Sequence, residues 1–249
     1  MATSAPLGMA VVGASGHAAR VSAPTIAASQ GATLVGVLGS TPDSGARLAS
    51  EYDGAIGYAD WDALAGDDAV HAVWIAGPNN LHAEFAEHCL AAGKHVFVEK
   101  PLAARASDAK RVADRADEAG LTAVVDFQHR FRPGHAWMKD AIAGGMVGTP
   151  HKIRIHRNWP YPYFPDMPAK ISGWRTSVEE SGGWALNDIG SHHVDLAQWL
   201  IGQMGTLAFA RTSNFTFIDV EAEDSSVLVV DGSSGAVMVL ETSNAFPSF

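Results

Sequence analysis

Two groups of side chains carry what acid–base chemistry needs. The first is Glu99-Lys100-Pro101, set directly after His95-Val96-Phe97-Val98. That run, with Gly93 before it, reads as a short buried strand. A lysine at the carboxyl end of such a strand, crowded by apolar neighbours, can trade protons near neutral pH. Pro101 pins the backbone beside it. The second group is Asp188-Ile189-Gly190-Ser191-His192-His193-Val194-Asp195, preceded by Ser181-Gly182-Gly183. On a helix, Asp188, His192 and Asp195 stand at i, i+4 and i+7 and share one face. An aspartate one turn before a histidine can orient and charge-stabilise the imidazole for proton transfer. Each group also has a plainer reading: a surface Glu-Lys pair on a strand-to-helix loop, and a helix start with Asp188 near the cap and a satisfied core histidine. His193 turns away from His192 and is given no role. As a zinc set, Asp-x₃-His-x₂-Asp lacks a supporting cysteine, so no metal is expected.

The elements that must position these residues alternate. Residues 8–12 form an apolar strand, followed by an Ala-rich helical stretch running to about Gln30. Strands follow at 32–38, near 55–56, at 70–76, 95–98 and 121–125. Between them lie helices at 46–52, a capped turn at 60–64, and helices at 81–92 and 106–119, the last two stopped by Gly93 and Gly120. That alternation predicts right-handed crossovers and a parallel sheet covered on both faces. After Asp126 the pattern becomes α+β. A helix spans 134–143, a strand 151–156, a Pro- and aromatic-rich loop 158–172 and a longer helix about 186–200. Three strands come last, at 207–217, 225–230 and 236–242, with hairpin residues at 231–235. The expected domains are residues 1–128 and 129–249.

A strand, a glycine turn and a helix start form a pyrophosphate cradle. Against G-x-G-x-x-G/A the chain offers Gly13, Ser15 and Ala18, with Gly16 and His17 between them. The second glycine is thus a serine. At the end of the second strand a carboxylate would hold the ribose 2′-OH of NAD. Gly39-Ser40-Thr41 stands there instead, with no acid before Asp43 and with Arg47 close by. Small hydroxyl residues leave room for a 2′-phosphate, so NADP is the expected cofactor, with NAD the alternative if Asp43 turns inward.

Composition excludes other classes. The 249 residues are 47% hydrophobic and 18% charged, as in ordinary globular proteins. A formal charge of −10 argues against nucleic-acid binding. No stretch has the length of a membrane span, and residues 1–7 lack the features of a signal peptide. The single Cys89 cannot form an internal disulfide and reads as a buried apolar residue in a reducing compartment. A cytoplasmic protein acting on a small molecule is expected.

Five motifs in order give the chain a resemblance to the glucose–fructose oxidoreductase/inositol dehydrogenase (Gfo/Idh/MocA) family. They are the 91–103 segment around Glu99-Lys100-Pro101, the Gly-Gly…Asp188-x-Gly190-x-His192-x-x-Asp195 pattern, Pro78-Asn79-Asn80-Leu81-His82, Phe127-Gln128-His129-Arg130-Phe131, and Trp174-Arg175. The resemblance implies an α/β Rossmann domain followed by an α+β domain with an open, mostly antiparallel sheet. It implies hydride transfer between a nicotinamide and a hydroxyl or carbonyl carbon of a sugar, polyol or related cyclic alcohol. By motif match, Lys100 moves the proton or orients substrate, Asp188 binds a substrate hydroxyl and His192 is the acid/base. Trp174 and Arg175 fall with the substrate residues. Glu99, Pro78, Asn79 and His82 would line the nicotinamide side, with Gln128 where the family often has Asn. Trp159, Tyr161, Tyr163, Phe164 and Trp174 are candidates for stacking on a sugar ring. The Lys100–Pro101 bond is a candidate for the cis form, against ~5–6% for X–Pro bonds in general.

The departures are Ser15, Ser181 in place of the first glycine of a triplet, and an end at Phe249 just after a strand, where the family continues with more strands and a closing helix. The last strand is therefore expected to be an open edge. Such an edge invites pairing with another chain; the resemblance implies a homodimer or homotetramer through this sheet, weakened by the early end. Two other activities share the scaffold features: a glycoside hydrolase that uses NAD transiently, and a non-catalytic dinucleotide-sensing regulator.

Overall fold

A computed structural model describes residues 5–159 and 173–245. Tyr161, Tyr163 and Phe164 of the aromatic loop lie outside the described residues. Two compact units are formed by Met1–Asp126 and Phe127–Phe249.

In the first unit the strands are β1 (Leu7–Val12), β2 (Ala32–Leu38), β3 (Ile56–Tyr58), β4 (Ala72–Ile75), β5 (His95–Val98) and β6 (Ala123–Val125). All pair in parallel, in the order β3-β2-β1-β4-β5-β6. This is the doubly wound Rossmann order. Successive side chains of a strand point to opposite faces. Ala10 and Val12 therefore enter one core with Val73, Ile75, Val96 and Val98, while Val11 enters the other with Val37 and Trp74. Helices cover both faces, so all four residues of β4 are buried.

The helices are α1 (Ala23–Ala28), α2 (Pro42–Ala49), α3 (Trp61–Ala65), α4 (Asn79–Ala91) and α5 (Ala106–Ala119). Three depart from the expected bounds. The first helical stretch is a π-helical turn, Ala18–Ser22, leading into α1. Pro24 near that junction has no N–H to give and would crowd the carbonyl four residues back, which a wider turn relieves. Next, α2 begins at Pro42 rather than 46, because Thr41 and Ser44 form a reciprocal capping box. Last, α4 begins at Asn79, two residues before the expected start. Gly93 and Gly120 end α4 and α5 in left-handed conformation, with φ +75° and +63°.

The second unit holds α6 (Pro133–Ala143), β7 (Lys152–Asn158), α7 (Val178–Ser181), α8 (Ser191–Ile201), β8 (Gly205–Ser213), β9 (Ser225–Gly232) and β10 (Val237–Ser243). Its sheet runs β7-β10-β9-β8. The β8–β9 and β9–β10 pairs are antiparallel and β10–β7 is parallel, so the sheet is mostly antiparallel. The expected open edge at the last strand is wrong. β10 lies in the interior because β7, from far earlier in the chain, pairs along its other side; among the described residues β7 and β8 are the edges. One face packs Leu228, Val230, Met238 and Leu240 against Ala197 of α8.

Candidate active site

The reversal of strand order between β1 and β4 opens a crevice at their carboxyl ends, where open α/β sheets bind ligands. Gly13 follows β1 with φ +114°, and a Cβ there would stand 2.5 Å from the Ala76 carbonyl oxygen. Only glycine lets the backbone run so close to its neighbour. The methyl of Ala18, fully buried, packs against the same point. Gly16 supplies the other left-handed residue of the turn, at φ +55°, whereas no non-glycine residue among those described has positive φ. Ser15 thus occupies the second fingerprint position without needing glycine's freedom.

Gly13, Ser40, Thr41 and Pro78 line one cavity of about 430 Å³, together with Asp60 and Trp61. Trp61 is braced by Phe85, 4.8 Å between ring centroids, and by His88. Sequence reading did not single out Asp60 or Trp61; their position after β3 becomes informative only once β3 is known to flank β2. The Thr41 hydroxyl accepts from the Ser44 N–H, which leaves its own proton for a ligand. Asp43 is exposed in the first turn of α2. A turn with glycine at its two left-handed positions, a helical start beyond it and a cavity along the β1–β2 ends suit a dinucleotide.

The ends of β4, β5 and β6 hold a buried polar cluster. Glu99, 5% exposed, accepts a hydrogen bond at Oε1 from the Trp74 indole at 3.3 Å, and the same oxygen stands 2.9 Å from His17 Nε2, at ion-pair distance. It is also hydrogen-bonded to Asp126, which is 8% exposed. Burial, then the charge and hydrogen bond of Glu99, push Asp126 up to about 7. For Glu99 burial acts upward, but the hydrogen bond and charge of His17, with Asp126 and Lys100, outweigh it and lower its pKa. Donor atoms of His17, Glu99 and Asp126 lie within 4.8 Å of one another. Asp126 and Trp74 were not legible as site residues, because nothing in the sequence shows which strands are neighbours.

Lys100 follows Glu99, half-buried, and the Lys100–Pro101 bond is cis. His82, expected on the nicotinamide side, is instead 1% exposed, with Nδ1 2.8 Å from the Pro101 carbonyl oxygen and Nε2 2.9 Å from that of Gly77. Burial, working against those two carbonyls, lowers its pKa. Its geometry is that of a brace between the loops after β4 and β5. Asn79 is also buried, in the first turn of α4. Cys89 is buried in α4, where burial pushes its thiol up to about 12.

Gln128 belongs to the second unit, in the 3₁₀ turn Gln128–Phe131. There the expected straight helix over 186–200 is two pieces: a π-helical turn, Ala185–Gly190, and α8. Glu223 receives the Leu186 N–H at the start of the π turn. Asp188 therefore sits in a wider helix than His192, and the simple i, i+4 face does not describe them. Arg175 Nε stands 3.8 Å from Asp188 Oδ2, and its guanidinium lies over Trp174, 4.3 Å from the ring centroid. The His192 ring, 7% exposed, stacks on His129, 6% exposed. Phe127 meets His192 edge-on. Asp195, expected on the same stripe, instead takes a two-pronged ion pair from Arg130 through Nε and Nη2. His193 is 3% exposed; burial, with Arg157, His129 and His156, brings its pKa down to about 4. The second unit thus gathers Arg175, Asp188, His192 and His129, and the first gathers the glycine turn, Glu99 and Lys100. Trp159 is described, 5.0 Å from the Arg157 guanidinium.

Comparison with known proteins places these features. Residues 7–127 match the oxidoreductase family with NAD-binding Rossmann fold, GFO_IDH_MocA, and residues 135–248 match the GFO/IDH/MocA C-terminal domain. Inositol 2-dehydrogenase 2 of Saccharopolyspora erythraea is 32% identical over 216 residues, 85% of this chain and 59% of that protein. The 1,5-anhydro-D-fructose reductase of Ensifer adhaerens is 32% identical over 171 residues, 69% of this chain and 50% of the reductase. The chain thus spans roughly half the length of such curated relatives. Among solved structures, GenD2 from gentamicin A biosynthesis, in complex with NAD, superposes with a TM-score of 0.88 at 27% identity, covering 100% of this chain and 69% of GenD2. With both halves of the chain matched and the site residues in order, the protein belongs to the Gfo/Idh/MocA oxidoreductase family.

Proposed function

We propose that the protein transfers hydride between a nicotinamide dinucleotide and a hydroxyl or carbonyl carbon of a sugar, polyol or related cyclic alcohol. What carries the reading is the place of Lys100, at the carboxyl end of an interior strand in a sheet ordered for dinucleotide binding. When bound, the nicotinamide supplies the hydride acceptor or donor. Gly13, Ser15, Gly16, His17 and Ala18 would hold the pyrophosphate, with Ser40 and Thr41 at the adenosine ribose. Pro78, Asn79 and Glu99 shape the far end of the crevice, and His82 holds its loops. Lys100 Nζ and the His192 imidazole hold and move the proton of the reacting hydroxyl. Asp188 accepts a hydrogen bond from substrate, with Arg175 behind it, and Trp174 offers a stacking face.

NADP is the preferred dinucleotide. In support, no carboxylate stands at the end of β2, and Ser40 and Thr41 offer hydroxyl protons there. A homodimer or homotetramer through the open face of the second sheet is part of the same reading, supported by Phe209 and Val227, 52% and 38% exposed; light scattering of the purified protein tests it. The function is tested by a panel of sugars, polyols and cyclic alcohols followed by nicotinamide absorbance with NAD and NADP in parallel. Turnover of a cyclic polyol or sugar with NADP preferred is the expected result. Dinucleotide binding without turnover on any substrate overturns it in favour of a sensing role, and release of free sugar without net absorbance change in favour of hydrolysis.

A further inference from the structure

The His17–Glu99–Asp126 cluster does something that acid–base catalysis by Lys100 and His192 does not require. Its members come from three separate places: the turn after β1, the end of β5 and the end of β6. Each end is tied to the sheet by its backbone, Glu99 N–H to Ile75 O at 2.9 Å and Asp126 N–H to Val98 O at 2.8 Å. Two carboxyl groups this deeply buried can be hydrogen-bonded to one another only if one keeps its proton. Glu99 already accepts from the Trp74 indole and stands 2.9 Å from His17 Nε2, so it is the acceptor and Asp126 the donor. His17 lies within the glycine turn itself, one residue before the buried Ala18 that packs on Gly13.

We propose that Asp126 is a positioning residue that works as a neutral acid: its proton fixes Glu99, and Glu99, through His17 Nε2, fixes the glycine turn in the form that takes a dinucleotide pyrophosphate. The inference rests on the dinucleotide-binding reading above. The groups facing the cluster are Lys100 beside Glu99 on the end of β5, His82 from α4, and the Trp74 indole from β4. Lys100 favours the ionised state of both carboxyl groups, and desolvation and the Glu99 charge oppose it at Asp126. When Asp126 does ionise, as pH passes about 7, two adjacent buried carboxylates repel and the grip of Glu99 on His17 is lost.

The test is direct binding of NADPH and NADH by fluorescence titration between pH 5.5 and 8.5, needing no substrate, on wild type, Asp126→Asn and Asp126→Ala. The expected result is wild-type affinity that weakens as pH rises through neutrality. Asp126→Asn, a permanent neutral donor, keeps the low-pH affinity to high pH. Asp126→Ala binds about tenfold more weakly throughout. If Asp126→Asn retains the wild-type pH limb, or Asp126→Ala binds as tightly as Asp126→Asn, the proposal is wrong while dinucleotide binding stands. If wild type binds neither dinucleotide at any pH, both fall. A measurement on wild type alone guards against a variant that does not fold: infrared spectroscopy should show a protonated-carboxyl band at pH 6 that is gone by pH 8.5. A spectrum without that titrating band overturns the proposal.

Discussion

The imidazole rings of His129 and His192 lie face to face, 4.3 Å between centroids and 10° from parallel. His129 is fixed from below by the turn that carries it: its carbonyl oxygen is 2.8 Å from His135 Nδ1. Rings so placed leave His192 few orientations. His192→Ala is expected to lower kcat by about 10²–10⁴ if the histidine moves the proton. His129→Ala should lower kcat by about tenfold through lost positioning, and His129→Phe, which keeps an aromatic face, should recover most of it. Equal losses in His129→Ala and His129→Phe would show that the stack is not what positions His192.

Lys100→Met keeps the length of the side chain and removes the ammonium. Turnover should fall by about 10²–10⁴, with dinucleotide affinity within a few-fold of wild type. Loss of binding with unchanged turnover at saturation would assign Lys100 to the cofactor instead.

Gly13→Ala places a methyl 2.5 Å from the Ala76 carbonyl oxygen, in a φ of +114° that L-residues rarely adopt. Strain of this kind costs about 1–3 kcal/mol, so the unfolding midpoint should drop and dinucleotide binding be lost. An unchanged melting curve and affinity would show that the turn is not built as described.

How much of this was legible differs by element. The β5 strand and α5 match their predicted bounds to the residue, because Gly93, Pro101 and Gly120 mark them by backbone chemistry alone. The motif residues Lys100, Asp188 and His192 could likewise be singled out by type and spacing. The partners could not. Glu99 and Asp126 meet because β5 and β6 are neighbours, and His129 reaches His192 across a gap of 63 residues, which is a property of packing and not of local pattern. The π-helical turns were missed for the same reason: a wide turn keeps the apolar rhythm of a helix, and only Pro24 hinted at one.

His193 gives the acid limb of stability a testable origin. Its folded pKa of about 4 lies below the ordinary 6.5, so the unfolded chain binds the proton more readily. The neutral form's contribution is therefore fully present above about 6.5 and is lost as pH falls toward 4. The size is on the order of 2–3 kcal/mol. His193→Gln should flatten the unfolding free energy across this window, measured by urea titration at several pH values. An unchanged slope would mean that another group governs acid unfolding.

Arg130→Met leaves Asp195, 8% exposed, without its cation, while the Arg130 side chain is itself 40% exposed. Water screens part of the pair, so the loss should be about 1–2 kcal/mol. Asp195→Asn with Arg130→Met should cost less than the sum of the two single changes. Additive losses would show the pair to be uncoupled.

The interior position of β10 also dictates an order of assembly. As the chain leaves the ribosome, β7 emerges first and has no strand to pair with until residues 237–243 appear. The hairpin of β9 and β10 must form and then dock against a strand made about eighty residues earlier, a long loop to close. The Rossmann unit can begin pairing as soon as β1 and β2 are out, so during synthesis the first sheet assembles while β7 still waits for residues 237–243.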